Sequence, residues 1–148
     1  KARDGVDALV QEAVAAGAKV VVGGRHAEGP GWFYQPTVLT DVPADARIAV
    51  EEIFGPVAPI STFQTEEEAL TRANDTAYGL IAYAFTRDLA RALRVSEALE
   101  FGMVGINQGV VSNPAAPFGG VKASGFGREG GFEGIDEYLE VKYVGLAP

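Results

Sequence analysis

Two carboxylates and an aromatic ring follow one another at residues 51–56, where the sequence reads Glu-Glu-Ile-Phe-Gly-Pro. A carboxylate accepts several hydrogen bonds, so Glu52 can bind a diol such as that of a ribose. The ring of Phe54 then offers a flat apolar surface to an aromatic-like group beside that ribose. The alternative is structural: a turn at the start of a strand, with a solvated glutamate and a phenylalanine in the core. The residue pattern leaves both interpretations open.

A second chemically distinctive stretch covers residues 107–129 and contains Pro-Phe-Gly-Gly-Val-Lys-Ala-Ser-Gly at 117–125. Before it lies a loop with Ser112, whose hydroxyl can donate a hydrogen bond to a ligand or simply belong to a turn. On its own, Phe118 indicates a core aromatic beside a glycine turn. On residue type alone, Glu129 indicates a salt bridge or a carboxylate at the start of a helix.

Two other features look like sites but lack the sequence context of one. Residues 125–130 have the spacing Gly-x-Gly-x-x-Gly, which in dinucleotide-binding folds follows a buried strand and precedes an acidic residue about 20 positions later. Here Lys122, Ala123 and Ser124 precede the glycines, and too little sequence follows them. The single histidine, His26, has no aspartate or serine arranged around it in the sequence, which favours a surface role.

Four segments have helical patterns and must help to position these residues. Thr65 followed by Glu68 forms a capping box at the start of one helix, and Asp88 can cap another. A further helix is predicted over residues 132–139. The first helix is predicted to end at Gly17, and its apolar residues repeat with helical spacing at Val6, Leu9, Val10, Ala13 and Val14.

Extended segments alternate with these helices. Continuous apolar runs predict buried strands at 19–22, 80–85 and 103–106, whereas Pro59 places the strand at 57–63 at an edge or a strand end. Residues 141–146 are also predicted to be extended. Apolar strands that alternate with helices indicate an α/β fold in which a parallel sheet is covered by helices on both faces.

Composition excludes several classes of protein. The net charge of −8 argues against nucleic-acid binding, which needs a basic surface. No apolar run approaches the ~20 residues that cross a bilayer, so we expect no membrane partner. The absence of cysteine excludes a disulfide framework and a thiolate zinc site and fits a cytoplasmic protein. No metal site is predicted.

Taken together and in this order, residues 51–56 and 117–125 resemble the NAD(P)-dependent aldehyde dehydrogenases. The resemblance implies that Glu52 binds the hydroxyls of the nicotinamide ribose and that Phe54 packs near the nicotinamide. In that family a cysteine thiolate adds to the aldehyde, hydride passes to NAD(P)+, and water hydrolyses the thioester. This sequence has no cysteine. We therefore expect the C-terminal part of such an enzyme, with no activity of its own.

The resemblance also implies roles on the aldehyde side. Phe118 matches a residue in the wall of the substrate tunnel. Glu129 matches a proposed proton relay behind a general base that lies outside this sequence, although a salt bridge or a helix-start carboxylate explains it equally well. Arg128 and Glu140 match positions at the subunit interface.

The loop at residues 109–116 is similar to that of succinate-semialdehyde dehydrogenases. Ser112 stands where many relatives that use apolar aldehydes carry an aromatic residue. A small hydroxyl there opens space and can donate a hydrogen bond to a distal carboxylate. An ordinary turn serine is the alternative. The arginines that would complete carboxylate recognition lie upstream in the family.

These inferences give one expected organisation. Residues 1–138 form part of the catalytic, aldehyde-binding domain, and residues 139–148 form a C-terminal oligomerisation strand with an exposed or intermolecular edge. The whole protein is expected to be a homodimer or homotetramer that oxidises succinate semialdehyde to succinate with NAD or NADP. Two alternatives stay open: a dehydrogenase of another short aldehyde, and a non-catalytic binding or structural relative.

Overall fold

The computed structural model describes residues 1–148, the whole sequence. The helices are α1 (Ala2–Ala15), α2 (Arg47–Val50), α3 (Glu66–Asn74), α4 (Leu89–Ala98) and a 3-10 helix at Glu133–Tyr138. The strands are β1 (Lys19–Val22), β2 (Thr37–Thr40), β3 (Val57–Pro59), β4 (Tyr78–Gly79), β5 (Ile81–Ala84), β6 (Met103–Ile106) and β7 (Val121–Lys122). The chain divides into two compact units, Lys1–Gln64 and Thr65–Pro148. The predicted alternation of helices and strands is confirmed.

The first unit is built on the apolar face of α1. Four of its five predicted residues are buried, and only Val14, with 36% of its surface exposed, lies at the margin. Val10 of α1 and Leu39 of β2 are fully buried, and each such side chain contributes about 1.5–3 kcal/mol to stability. The helix ends before Gly17, as predicted. The remaining core residues come from the rest of the unit: Ala18, Tyr34, Val42 and Ile48.

Strand β1 differs from the prediction of a buried parallel strand. It pairs antiparallel with β2, at the edge of a sheet with the order β1-β2-β3. Its three valines are 44–64% exposed. A short apolar run does not determine strand direction or the number of covered faces, which explains the error. Strand β3 pairs in parallel with β2 and ends at Pro59, so the edge position predicted there is confirmed.

The histidine of the first unit has a neighbour that is distant in the sequence. Nε2 of His26 lies 3.6 Å from Oδ2 of Asp7 on α1. The other oxygen of Asp7 accepts a hydrogen bond of 3.0 Å from the hydroxyl of Tyr34. Burial and this hydrogen bond raise the pKa of Tyr34 to about 12. The three side chains fasten the segment between β1 and β2 to the first helix.

In the second unit, both predicted helix caps are confirmed. The side chain of Thr65 accepts a hydrogen bond of 3.1 Å from the N–H of Glu68 at the start of α3. Asp88 accepts one of 3.0 Å from the N–H of Arg91 at the start of α4. Caps of this kind contribute about 1 kcal/mol each. Helix α4 ends at Ala98 and does not reach Gly102, the predicted stop.

Two short strand pairs complete the second unit. Strands β5 and β6 are parallel, in agreement with the predicted sheet, whereas β4 and β7 are antiparallel. Gly102, just before β6, lies against the backbone of Gly119 and Gly120, which occupies the place of a side chain. This contact seats the loop after Phe118 against the start of β6.

The end of the chain is less regular than predicted. Residues 132–139 contain a 3-10 helix rather than an α-helix, and the apolar residues of that segment are 61–94% exposed. Neighbouring glycines at 130, 131 and 134 disfavour an α-helix there. Residues 139–148 form no helix or strand in this chain and are exposed. Their role as an oligomerisation strand stays a prediction.

None of the helices has both the length and the apolar character that a membrane span requires. No group of three or more histidine, cysteine, aspartate or glutamate side chains is arranged to hold a metal ion.

Candidate functional site

The two glutamates at residues 51 and 52 have different environments. Helix α2 ends at Val50, and the backbone of Glu51 is extended. The guanidinium of Arg47 donates to both oxygens of Glu51, at 2.7 and 3.0 Å, and also to Glu12 at 2.8 Å. The hydrogen bonds from Arg47 lower the pKa of the Glu51 carboxyl. The Glu51 carboxylate is therefore already paired within the fold.

Glu52, by contrast, is exposed and its carboxylate makes no hydrogen bond or ion pair within the chain. Ile53 packs against the core of the first unit and anchors the segment. Phe54 is 80% exposed, which contradicts the alternative that it is a core aromatic. The N–H of Gly55 donates to the carbonyl of Ile53 at 2.8 Å, closing a tight turn around Phe54. The first unit thus presents a free carboxylate and an exposed ring two residues apart.

The second group of predicted residues lies in the second unit and begins after β6. The side chain of Asn107 accepts a hydrogen bond from the N–H of Thr86 at 2.8 Å and donates to its carbonyl at 2.7 Å. Asn107 also has a φ of +55°, a conformation that asparagine tolerates better than most residues. The sequence motif included this residue but did not predict that it ties the end of β6 to the end of β5. Ser112, in the loop that follows, is exposed.

Phe118 and Glu129 are brought together by their main chains. The N–H of Phe118 donates to the carbonyl of Glu129 at 2.6 Å, and the N–H of Glu129 donates back at 2.7 Å. The two residues form an isolated antiparallel bridge. Phe118 is half-buried and Glu129 is exposed. Sequence motifs placed both residues in the site, but only the structure reveals that their backbones pair directly.

Within the chain, the guanidinium of Arg128 bonds to two main-chain carbonyls. Its Nη1 donates to the carbonyl of Gly120 at 2.8 Å and to that of Gly127 at 2.7 Å. The guanidinium therefore links the two main-chain segments that pair at the Phe118–Glu129 bridge. Glu140 is exposed, and no ion pair joins it to Arg128 in this chain.

An open cavity of about 540 Å³ lies beside this bridge. Aliphatic, aromatic and charged side chains line it, among them Leu80, Phe118, Phe126, Arg128, Glu137 and Tyr138. The second unit thus offers a concave surface bordered by Phe118, with room for a small organic molecule.

Comparisons with known proteins agree with these features. Residues 1–144 match the aldehyde dehydrogenase family. The chain is 61% identical over 146 residues to a succinate-semialdehyde dehydrogenase of Paenarthrobacter nicotinovorans, covering 99% of this chain and 32% of that protein. It is 54% identical over 142 residues to a glutarate-semialdehyde dehydrogenase of Pseudomonas aeruginosa, covering 95% of this chain and 29% of that protein.

A crystal structure of an NADP-dependent enzyme from Escherichia coli is similar with a TM-score of 0.92 and 53% identity, over 97% of this chain and 30% of that one. The chain thus spans about a third of the length of its relatives. A family match over nearly all residues, high identity and a shared mixed α/β fold lead to one conclusion: the chain belongs to the aldehyde dehydrogenase family.

Proposed function

We propose that this chain is the part of an NAD(P)-dependent aldehyde dehydrogenase that borders the nicotinamide ribose and the aldehyde, and that the aldehyde is succinate semialdehyde. The observation that carries the proposal is the 61% identity with a relative named succinate-semialdehyde dehydrogenase. The free carboxylate of Glu52, the exposed ring of Phe54 and the exposed hydroxyl of Ser112 support it from the structure.

The residues of the first unit fit a nicotinamide dinucleotide. A ribose diol offers two hydroxyl donors, and the Glu52 carboxylate is an acceptor with no competing partner in the chain. Phe54 presents a flat apolar face two residues away. A bound NAD(P)+ supplies the hydride acceptor for aldehyde oxidation. The chain's own contribution is to hold and orient the ribose and to border the ring.

The residues of the second unit fit the aldehyde side. Phe118 forms a wall of the substrate path, and its main-chain bridge to Glu129 fixes the position of that wall. Ser112 donates a hydrogen bond to the distal carboxylate of the substrate. Glu129 relays protons, while Arg128 and Glu140 support the subunit interface together with residues 139–148. A homo-oligomer and a cytoplasmic location stay predictions.

The 148-residue chain on its own is expected to oxidise no aldehyde. It contains no cysteine and therefore no thiolate to attack the carbonyl carbon. The measurement is the formation of reduced cofactor at 340 nm by the pure chain with succinate semialdehyde and either dinucleotide. Turnover above the rate of a buffer control would contradict this expectation.

The substrate proposal predicts a strong preference in the full-length protein that carries this sequence. Succinate semialdehyde and butanal have the same number of carbon atoms, but only the first has a distal carboxylate. A buried site that hydrogen-bonds a substrate group discriminates against analogues that lack it, by about 10⁴-fold in favourable cases. We expect the acid aldehyde to have the higher kcat/KM, and parallel assays with NAD+ and NADP+ to identify the cofactor. Equal values for the two aldehydes would remove the substrate proposal and leave the family unchanged.

A second candidate substrate is glutarate semialdehyde, because a relative with that name is 54% identical to this chain. It has one more methylene than succinate semialdehyde, a difference that changes kcat/KM by about 10- to 200-fold in a fitted pocket. Adding it to the same assay ranks the two acids. Complete inactivity of the folded full-length protein with every aldehyde would favour the non-catalytic alternative.

A further inference from the structure

The loop that carries Ser112 is seated on the segment after Glu129. The N–H of Gly131 donates a hydrogen bond of 3.0 Å to the carbonyl of Pro114. Gly131 has a φ of +60°, and a side chain on it would meet the backbone nitrogen of Pro117 at 3.2 Å. A second glycine, Gly130, approaches the same loop through the carbonyl of Ala116. The loop therefore packs against this glycine pair.

One side chain shapes the loop from within. The side-chain carbonyl oxygen of Asn113 accepts a hydrogen bond of 2.9 Å from the N–H of Ala115. Its main-chain carbonyl accepts another, of 3.0 Å, from the N–H of Ala116. Such a turn replaces a backbone interaction with one from the asparagine side chain, so its conformation depends on that residue.

The loop is therefore held at its C-terminal end and in its middle. The Phe118–Glu129 bridge fixes its C-terminal end, and the hydrogen bond from Gly131 to Pro114 fixes its middle. Only Asn113, the first residue of the turn, separates Pro114 from Ser112. The hydrogen bond from the N–H of Ala115 to the Asn113 side chain therefore constrains the residue that directly follows Ser112.

We propose that Asn113 is a positioning residue for substrate specificity, whose turn, seated on Gly131, holds the Ser112 hydroxyl where the distal carboxylate of the aldehyde binds. This inference rests on the role proposed above for Ser112. Asn113 does not itself need to contact the substrate. Without the turn, the chain still carries the Ser112 hydroxyl, but the hydroxyl occupies several positions. Its interaction with the carboxylate therefore weakens.

The test uses Asn113→Ala and Asn113→Ser in the full-length protein, with Gln108→Ala as the control. Serine can make the same kind of turn without adding a charge. Gln108 is an exposed amide just ahead of the same loop, with no hydrogen bond to its side chain. Each variant is assayed for kcat and KM with succinate semialdehyde and with butanal. Hydrogen exchange of residues 112–117 is followed in parallel.

Asn113→Ala is expected to raise the KM for the acid aldehyde about tenfold, the effect of losing roughly one hydrogen bond. The kcat and both constants for butanal stay within about twofold of the original. Asn113→Ser recovers most of the loss, Gln108→Ala causes none, and the amides of Ala115 and Ala116 exchange faster only in the alanine variant.

Two results overturn the proposal. One is an unchanged KM for the acid aldehyde in Asn113→Ala although the original protein prefers that aldehyde. The other is unchanged exchange at residues 112–117, which refutes the positioning role even if the original protein shows no preference for the acid. A lack of preference in the original protein, by itself, counts against the proposed substrate. The two failures are thereby distinguished.

Discussion

Replacing Glu52 with glutamine in the full-length protein is expected to lower kcat/KM for the dinucleotide by roughly ten- to a hundredfold. Hydrogen bonds to a charged acceptor contribute about 1.5–3 kcal/mol, and a diol makes two of them. The amide keeps one acceptor oxygen, but its NH2 group only donates, so one ribose hydroxyl loses the acceptor for its O–H. Because Glu52 has no partner within the chain, the fold itself loses nothing.

The adjacent residue provides a matched control. Glu51 carries the same charge and differs by one position, but its carboxylate is held by Arg47. Glu51→Gln is expected to leave kcat/KM within about twofold, since an exposed ion pair contributes little. Steady-state kinetics with both dinucleotides and a melting curve for each variant complete the comparison. An equal loss of activity at both positions would show that the effect comes from the segment and not from Glu52.

Replacing Gly102 with alanine is expected to destabilise the protein by about 3 kcal/mol, the upper end of the usual cost of overpacking. The added methyl group would meet the carbonyl oxygen of Gly119 and, at 2.8 Å, the Cα of Gly120. These are backbone atoms, so no side chain can rotate away to make room. The loop must move, and it carries Phe118 with it.

The control for this substitution is Gly109→Ala, in the same unit. An alanine side chain there has no atom within 4 Å, and we expect a change of no more than about 0.5 kcal/mol. Denaturant unfolding of both variants measures the difference. Similar midpoints for the two variants would mean that the backbone near Gly102 relaxes without cost.

Local signals predicted the helices well. The apolar face of α1 and the caps of α3 and α4 follow from residues within one or two turns of each other, such as Thr65 with Glu68. The strands were harder to predict, because their pairing depends on distant partners. Nothing in residues 19–22 reveals that β2 lies antiparallel beside them. The terminal helix was predicted from apolar spacing alone. The nearby glycines disfavour an α-helix, and the segment forms a 3-10 helix instead.

The site was predictable as a set of motifs but not as an arrangement. By residue type alone the two glutamates of residues 51–56 are equivalent; the family resemblance singled out Glu52, and the position of Arg47 shows that Glu51 is paired while Glu52 is free. The support of the Ser112 loop by Gly131 joins main-chain atoms far apart in the sequence, and main-chain contacts leave no signature in residue type. The side-chain contact of His26 with Asp7 could not be anticipated either, because the two residues are 19 positions apart in the sequence.

The pairing of Phe118 with Glu129 has a consequence for redesign. It uses only amide hydrogens and carbonyl oxygens, so any residue except proline, which has no amide hydrogen, can form it at either position. Backbone position and side-chain chemistry are thereby separable at these two residues. A library that varies positions 118 and 129 can therefore change the lining of the adjacent cavity while the main-chain bridge is kept.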